Sequence, residues 1–189
     1  MENFIELNVK ETNKNALELK LIKKAVKGDS SAFIEAMKVY KGYLYRTAYA
    51  YVKSEESALE VLHECTYNAF LNIKTLRNPQ YFKTWITRIL INAAIKYLRR
   101  NENISYIDDT MVLKEPTSNI SIEEKLDLYD AIDLLRENYK TVIILKYFND
   151  LSIEEISSIM DIPQNTVKTY LRRSKDNLSK ILMEGYLDD

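Results

Sequence analysis

Two stretches of this chain carry side chains whose types and spacing suit nucleic-acid chemistry. In the first, Gln164, Asn165, Thr166, Lys168 and Thr169 stand at the head of a basic helical segment. Gln and Asn pair bidentately with adenine, and Lys donates to guanine. Arg172 and Arg173, one turn on, are placed for phosphates, where they fix register without reading sequence. In the second, the aromatics Tyr81, Phe82, Trp85 and Tyr97 interleave with Lys83, Arg88, Lys96, Arg99 and Arg100. Cations track the backbone of a separated strand, and rings offer faces on which unstacked bases lie. A plainer reading stands beside each. The first is also the pattern of an ordinary helical hairpin with a basic face, and Phe82 and Trp85 are at core spacing on a helix.

Other chemistries find little support. His63 and Cys65 are two residues apart and do not share a helix face. One His and one Cys give no zinc set without other ligand types, and the Cys has no second His as base. There is no Gly-rich phosphate loop. The chain is expected not to be an enzyme and to need neither cofactor, metal nor small-molecule substrate.

The elements that must hold these residues are helical. The 189 residues are 46% hydrophobic and 29% charged, with three Gly and three Pro. That is a globular composition with few helix breakers. Net charge is −1, but its distribution is uneven. Phe82 to Arg100 and Gln164 to Lys175 contain no acid, whereas Glu55, Glu56, Glu60 and Glu64, and again Glu123, Glu124, Asp127, Asp130 and Asp133, gather the opposite sign. Paired basic and acidic patches suit a chain that meets both a polyanion and a basic protein surface; solvated helix faces would look the same. One cysteine excludes an internal disulfide, and no apolar run approaches the roughly 20 residues that span a bilayer. Met1 to Lys10 lacks a signal-peptide layout, so a cytoplasmic location is expected.

Helical spacing places Leu17 to Lys27 in a first helix stopped by Gly28, with Asp29 capping a second that buries Phe33, Ile34, Met37, Tyr40, Leu44, Ala48 and Tyr49. Ser54 caps a third, with Glu55 and Glu56 in its first turn. Asn78 and Pro79 break the chain before a fourth helix from about Tyr81 to Arg100. Periodicity fades from Asn101 to Ser121, which reads as an acidic flexible linker. It resumes at Ile122, and a helix is expected around Tyr139 to Tyr147. Ser152 and Glu155 have capping-box spacing. The short helix they open, the turn Asp161-Ile162-Pro163 and the longer basic helix beyond make a helix-turn-helix pattern. The fold class is therefore all-α, with two helical domains.

These residues resemble a known family. Tyr81-Phe82-Lys83-Thr84-Trp85-Ile86-Thr87-Arg88-Ile89, continuing through Asn92, Ala94, Ile95, Tyr97, Leu98, Arg99 and Arg100, is similar to the promoter-melting helix of extracytoplasmic-function (ECF) sigma factors. Glu60, Glu64, Ala69 and Phe70 resemble the helix before it, and Tyr147 to Ile156, Ile162-Pro163 and Thr166-Val167-Lys168-Thr169 resemble the domain that reads the −35 element. The likeness runs from about Ala16 to Leu182 and leans toward the σV-like cell-envelope stress group. His63 stands where the family usually has Gln, Lys96 where Asp is usual, Arg136 where Pro is common, and Tyr170 where Arg is frequent.

The resemblance implies a region 2 bundle over 16–100, a linker over 101–121 and a region 4 helix-turn-helix over 122–183. It implies docking on core RNA polymerase through Glu60, His63, Glu64 and Asn68. It implies that the loop Thr75 to Gln80, with Asn78 and Gln80, holds a flipped base, while Lys83, Trp85, Arg88, Asn92 and Arg99 meet the opened −10 strand. Gln164, Asn165, Thr166, Lys168, Thr169, Arg172 and Arg173 would read −35 promoter DNA. An anti-sigma partner, often membrane-anchored, would cover these surfaces and could hold the chain at the inner face of the membrane. The acidic linker would thread a basic channel of the polymerase. Two rivals differ in class. A stand-alone helix-turn-helix regulator would dimerise on a palindrome and would not need the acidic helix. A purely protein-binding helical adaptor would show no effect on transcription when Arg172 and Lys168 are changed to Ala.

Overall fold

The computed structural model describes residues 15–105 and 122–185. Helix α1 covers 15–26 and ends at Gly28, whose φ of +99° is left-handed backbone that suits a residue without a Cβ. Helix α2, Ser30–Val52, starts where the Asp29 carboxylate accepts the Ala32 N–H at 3.0 Å. It stops where Lys53 turns left-handed and its N–H reaches back to the Tyr49 carbonyl. Helix α3, Glu55–Asn72, is capped by Ser54 and has Glu55 and Glu56 in its positive first turn. Two 3₁₀ turns, Ile73–Thr75 and Pro79–Tyr81, lead into α4, Phe82–Ser105. That helix continues past Arg100 into the stretch expected to open the linker. Residues 106–121, the rest of that expected linker, lie outside the described residues.

Helices α1 to α4 pack as a bundle. Phe82, Leu44, Ile86, Leu90 and Val61 are among its fully buried large side chains, whereas Ile34, expected inside, points outward and is 54% exposed. Ala36, Ala48, Ala58 and Ala69 are wholly buried among them, and such small residues let helix axes approach closely. Cys65 is buried in the same core, and burial pushes its thiol up to about 12.

The second half holds α5 (Ile122–Asp133), α6 (Glu137–Ile143), α7 (Ile153–Met160) and α8 (Gln164–Gly185). The helix expected over Tyr139 to Tyr147 instead begins at Glu137 and opens at Ile144 into a π-helical turn, Ile144–Phe148. The Asn149 N–H bonds the Ile144 carbonyl, one residue further than an α-helix allows. The capping box at α7 is complete: Ser152 Oγ accepts from Glu155 N–H, and the Glu155 carboxylate accepts from Ser152 N–H at 2.8 Å.

The two halves do not stand apart. One apolar cluster runs from Phe33 and Leu90 into Val142, Leu145, Ile156 and Val167. Polar groups line the same seam. Asn149 Nδ2 donates to Thr47 Oγ1 at 2.6 Å, and Lys140 Nζ donates to the Tyr51 carbonyl at 2.9 Å. Lys53 is 2.8 Å from Asp130 and 2.6 Å from Asp133. Among the described residues no helix is long and apolar enough to cross a membrane.

Candidate nucleic-acid interface

The turn before α4 and the first turns of that helix border an open cavity of about 410 Å³. Asn78, Trp85 and Arg88 line it, with Thr75, Leu76, Arg77, Tyr81 and Thr84. Local chemistry shapes the entrance. Asn78 Oδ1 accepts the Gln80 N–H at 3.1 Å, and Pro79, which has no N–H to satisfy, takes the first helical position. Trp85 is half-buried, stacked beside Phe82 at 5.7 Å between ring centroids, with its other side on the cavity. Phe82 itself is core. The plainer reading therefore holds for Phe82, while Trp85 serves both packing and cavity.

The rest of the strand-binding set divides. Asn92 and Arg99 are exposed further along α4, and Gln80 is exposed outside the cavity lining. Lys83 turns toward α2 and lies over the Tyr43 ring, 5.0 Å from its centroid. Arg77 lies within the Thr75 to Gln80 loop expected at the base, whereas Thr84, one helical turn before Arg88, was not among the expected strand-binding residues. Ser158 also lines the cavity. It comes from α7, and nothing in the sequence pairs it with Trp85.

The proposed docking residues Glu60, His63, Glu64 and Asn68 share one face of α3, at i, i+3, i+4 and i+8. Tyr67 and Leu71 are exposed beside them, an apolar complement to the acids. Two of the acids are already engaged: Arg100 reaches Glu60 at 2.6 Å, and Lys96 reaches Glu64 at 2.7 Å. Lys96, the departure from the family's usual Asp, is thus a partner of a docking acid.

In the helix-turn-helix, Asp161 is left-handed and the Ser157 hydroxyl donates to the Ile162 carbonyl at 2.6 Å, holding the turn. Helix α8 buries Val167, Leu171 and Ser174. This rotates Gln164, Asn165, Lys168, Arg172 and Arg173 outward, with Thr166 and Thr169 half-buried at the margin. The Thr169 hydroxyl donates to the Asn165 carbonyl, so in this state it serves its own helix. Tyr170 stacks edge-on against Tyr139 at 5.5 Å. The residue standing for the family's Arg is therefore a packing residue here, not one of the outward reading set. No group of three or more His, Cys, Asp or Glu among the described residues is placed to hold a metal.

A helical bundle bearing an aromatic, cation-flanked cavity and a helix-turn-helix with a polar reading face together define a two-module DNA-reading protein. Comparison with known proteins narrows the class. The Sigma-70 region 2 family model matches residues 37–104, and the Sigma-70, region 4 model matches 125–178. The RNA polymerase sigma factor SigV of Bacillus subtilis (strain 168) is 38% identical over 135 residues, covering 71% of this chain and 81% of its own. The ECF RNA polymerase sigma factor SigW of the same organism is 31% identical over 181 residues, covering 87% and 96%. Among solved structures, CnrH in complex with the cytosolic domain of CnrY aligns with a TM-score of 0.67 at 18% identity, over 88% of this chain and 97% of that one. The sigma factor RpoE of Bartonella quintana, in complex with the anti-sigma factor NepR, aligns at 0.66 and 19%, over 80% and 96%. Those two likenesses establish the shared fold. This chain belongs to the ECF branch of the sigma-70 family.

Proposed function

We propose that this chain is the specificity subunit of a bacterial transcription apparatus: it binds core RNA polymerase and directs it to a class of promoters. The polymerase makes the phosphodiester bond; this chain supplies address and strand opening. The observation that carries the reading is the cavity lined by Asn78, Tyr81, Trp85 and Arg88 at the head of a cationic helix, in a chain that also presents an outward polar face on a helix-turn-helix.

The roles follow from the chemistry. A flipped base of the −10 strand enters the cavity, stacks on an aromatic ring and meets the Asn78 side chain. Arg88, Asn92 and Arg99 follow the strand along α4, while Gln80 and Lys83 flank it. Glu60, His63, Glu64 and Asn68 dock α3 on a basic surface of the polymerase. Gln164, Asn165, Thr166, Lys168 and Thr169 read base edges at −35, and Arg172 and Arg173 hold phosphates. Each module alone binds weakly; mounted on the polymerase, the two act with a high effective concentration. An anti-sigma partner that covers these faces holds the chain inactive, at the inner face of the membrane where that partner is anchored, until an envelope stress releases it.

Run-off transcription with purified core polymerase, with and without this chain, tests the reading. Start-site selectivity that appears only when the chain is added supports it. Absence of selectivity, or tight duplex binding without polymerase, defeats it.

A further inference from the structure

We propose that the exposed lysines of α1, together with Lys74, bind phosphates of the opened promoter strand where it leaves the base cavity on the downstream side. This rests on the reading just given and adds a second strand-binding surface to it.

Helix α1 packs Ile22 and Ala25 into the core of the bundle. Its opposite face carries Lys20, Lys23 and Lys24, and Lys27 follows in the turn that ends the helix; all four are exposed. Spacing of i, i+3, i+4 and i+7 sets them in one stripe. A face that serves solvation alone commonly interleaves acids with its lysines and pairs them, as Glu35 and Lys38 do on α2. From residue 15 to residue 28 the one acid is Glu18, which is half-buried and accepts a hydrogen bond from the Tyr40 hydroxyl. Among the described residues Lys20, Lys23 and Lys27 have no ion-pair partner, and Lys24 has only the nearby Asp29 carboxylate, which already caps α2.

The stripe leads to the cavity. Lys74 is exposed, has no ion-pair partner among the described residues, and folds over the end of α1. A Cβ at Gly28 would lie 3.5 Å from its Cε and 3.8 Å from its Nζ. Three residues on, Arg77 lines the cavity. Ile73 and Leu76 are buried and anchor this stretch in the core, which holds Lys74 and Arg77 outward. Cations therefore continue from the cavity through Arg77 and Lys74 onto α1. The other half of the chain sets the direction. At the far end of α4, Arg99 meets Glu137 of the half that carries the −35 reader, so a strand along α4 runs upstream. The exit bordered by Lys74 and α1 is then the downstream one. From Lys20 to Lys27 the stripe is about 10 Å long, room for about three phosphates at the roughly 3.4 Å spacing of a stacked strand. No aromatic side chain lies between residues 15 and 28, so the surface holds backbone and reads no base.

The test uses holoenzyme assembled from core polymerase and the full chain, with two fluorescein-labelled forked templates of a promoter selected in the run-off assay. In one, the single strand ends with the −10 element; in the other it continues downstream as oligothymidylate. The variant joins Lys20→Gln, Lys23→Gln and Lys27→Gln. Its control joins Lys38→Gln, Lys41→Gln and Lys180→Gln, the same change in net charge on exposed lysines elsewhere. On the longer template the variant should bind at least about tenfold more weakly at low salt, and the slope of log K against log salt should fall by about 2, roughly 0.7 for each of three phosphate contacts. On the shorter template, and for the control on both, the change should stay within about twofold, the range of a remote surface substitution. Unchanged affinity for the longer template overturns the proposal. An equal loss on both templates does so too, because it assigns the lysines to the polymerase. Vesicles of phosphatidylglycerol form the second arm: binding of the full chain that the variant abolishes, with the longer template held as before, gives the stripe to a lipid surface and overturns the proposal. Circular dichroism verifies that both variants are folded. Run-off transcription by the unaltered chain decides the functional reading separately, so failure of one is not failure of the other.

Discussion

Lys140 gives the sharpest stability test of how the halves are joined. Only 8% exposed, it donates to Asp133 Oδ1 at 2.6 Å and to the Tyr51 carbonyl at 2.9 Å. That carbonyl belongs to the last turn of α2, where the helix itself provides no donor. A lysine of the second half thus caps a helix of the first, at the negative end of its dipole. Lys140→Met keeps the packed stem and removes the ammonium. The buried carbonyl left without a donor costs about 1–3 kcal/mol. Asp133 loses one partner but keeps Lys53 at 2.6 Å, and it is partly solvated, so that loss stays within about 1 kcal/mol. Relief of the desolvated ammonium offsets part of both. The expected net loss is about 2 kcal/mol, or a fall in Tm of roughly 4–8 °C for a chain of this length.

The shared carboxylate makes the prediction sharper. Lys53→Met alone leaves Asp133 with Lys140. Lys53→Met with Lys140→Met leaves it with neither lysine, 38% exposed and uncompensated. The double variant should therefore lose about 1 kcal/mol or more beyond the sum of the singles, the size expected for residues in one network. Urea unfolding followed by the fluorescence of Trp85, the single tryptophan, and by far-UV circular dichroism measures all four corners of the cycle. Additive singles, or a Lys140→Met loss below about 0.5 kcal/mol, would refute the reasoning.

Three further outcomes are expected. Glu64→Lys should weaken binding to core polymerase about tenfold or more while its circular dichroism is unchanged; undiminished co-purification counts against a docking role for α3. Lys168→Ala should lower transcription from promoters with a matched −35 element by about fivefold, the value of one lost base contact, and equal output from matched and scrambled elements in the unaltered protein defeats the assignment. Cys65, its thiol pushed up to about 12 by burial, should resist alkylation at pH 8 in the native state, where about one thiol in ten thousand is ionised, and react only on unfolding. A folded-state pKa above the unfolded value means that the native state binds this proton more tightly. The stability Cys65 contributes is therefore complete below pH 9.0 and is lost as pH rises toward 12. Rapid native labelling contradicts that burial.

What was legible in the sequence is what depends on neighbours along the chain. The Asp29 cap, the Ser54 cap with its two acids and the reciprocal Ser152–Glu155 bonds are set within one helical turn, so residue type and spacing suffice. The apolar stripe of α8 likewise determines which of Gln164 to Arg173 face outward. The break at Asn78-Pro79 is local in the same way: Asn78 caps the 3₁₀ turn that Pro79 begins. Partnerships between distant residues left no local trace. Arg88 and Asp161 are 73 positions apart, and Lys140 and Tyr51 are 89. The π-turn that opens α6 at Ile144 ends at Asn149, whose side chain reaches Thr47 of the other half, a pairing that no period in the sequence encodes. For the same reason the acid-free run of α4 looked like an open basic face, although the folded chain brings carboxylates to it from three other places.

The composition of the seam bears on whether the halves separate. Tyr43, Thr47 and Tyr51 recur every four residues along α2 and meet Thr87, Asn149, Thr141 and Lys140 in or near the seam. The Tyr51 phenol is fully buried, and that burial raises its pKa above the ordinary range. A seam that never opened would gain more from apolar side chains at these places, because desolvated polar groups return little net stability even when satisfied. Hydroxyls, an amide and an ammonium suit a surface that must tolerate water in one state and protein in another, as contacts between domains commonly do. The apolar part of the seam, around Leu145, Leu151 and Ile156, favours the closed state, so opening has to be driven.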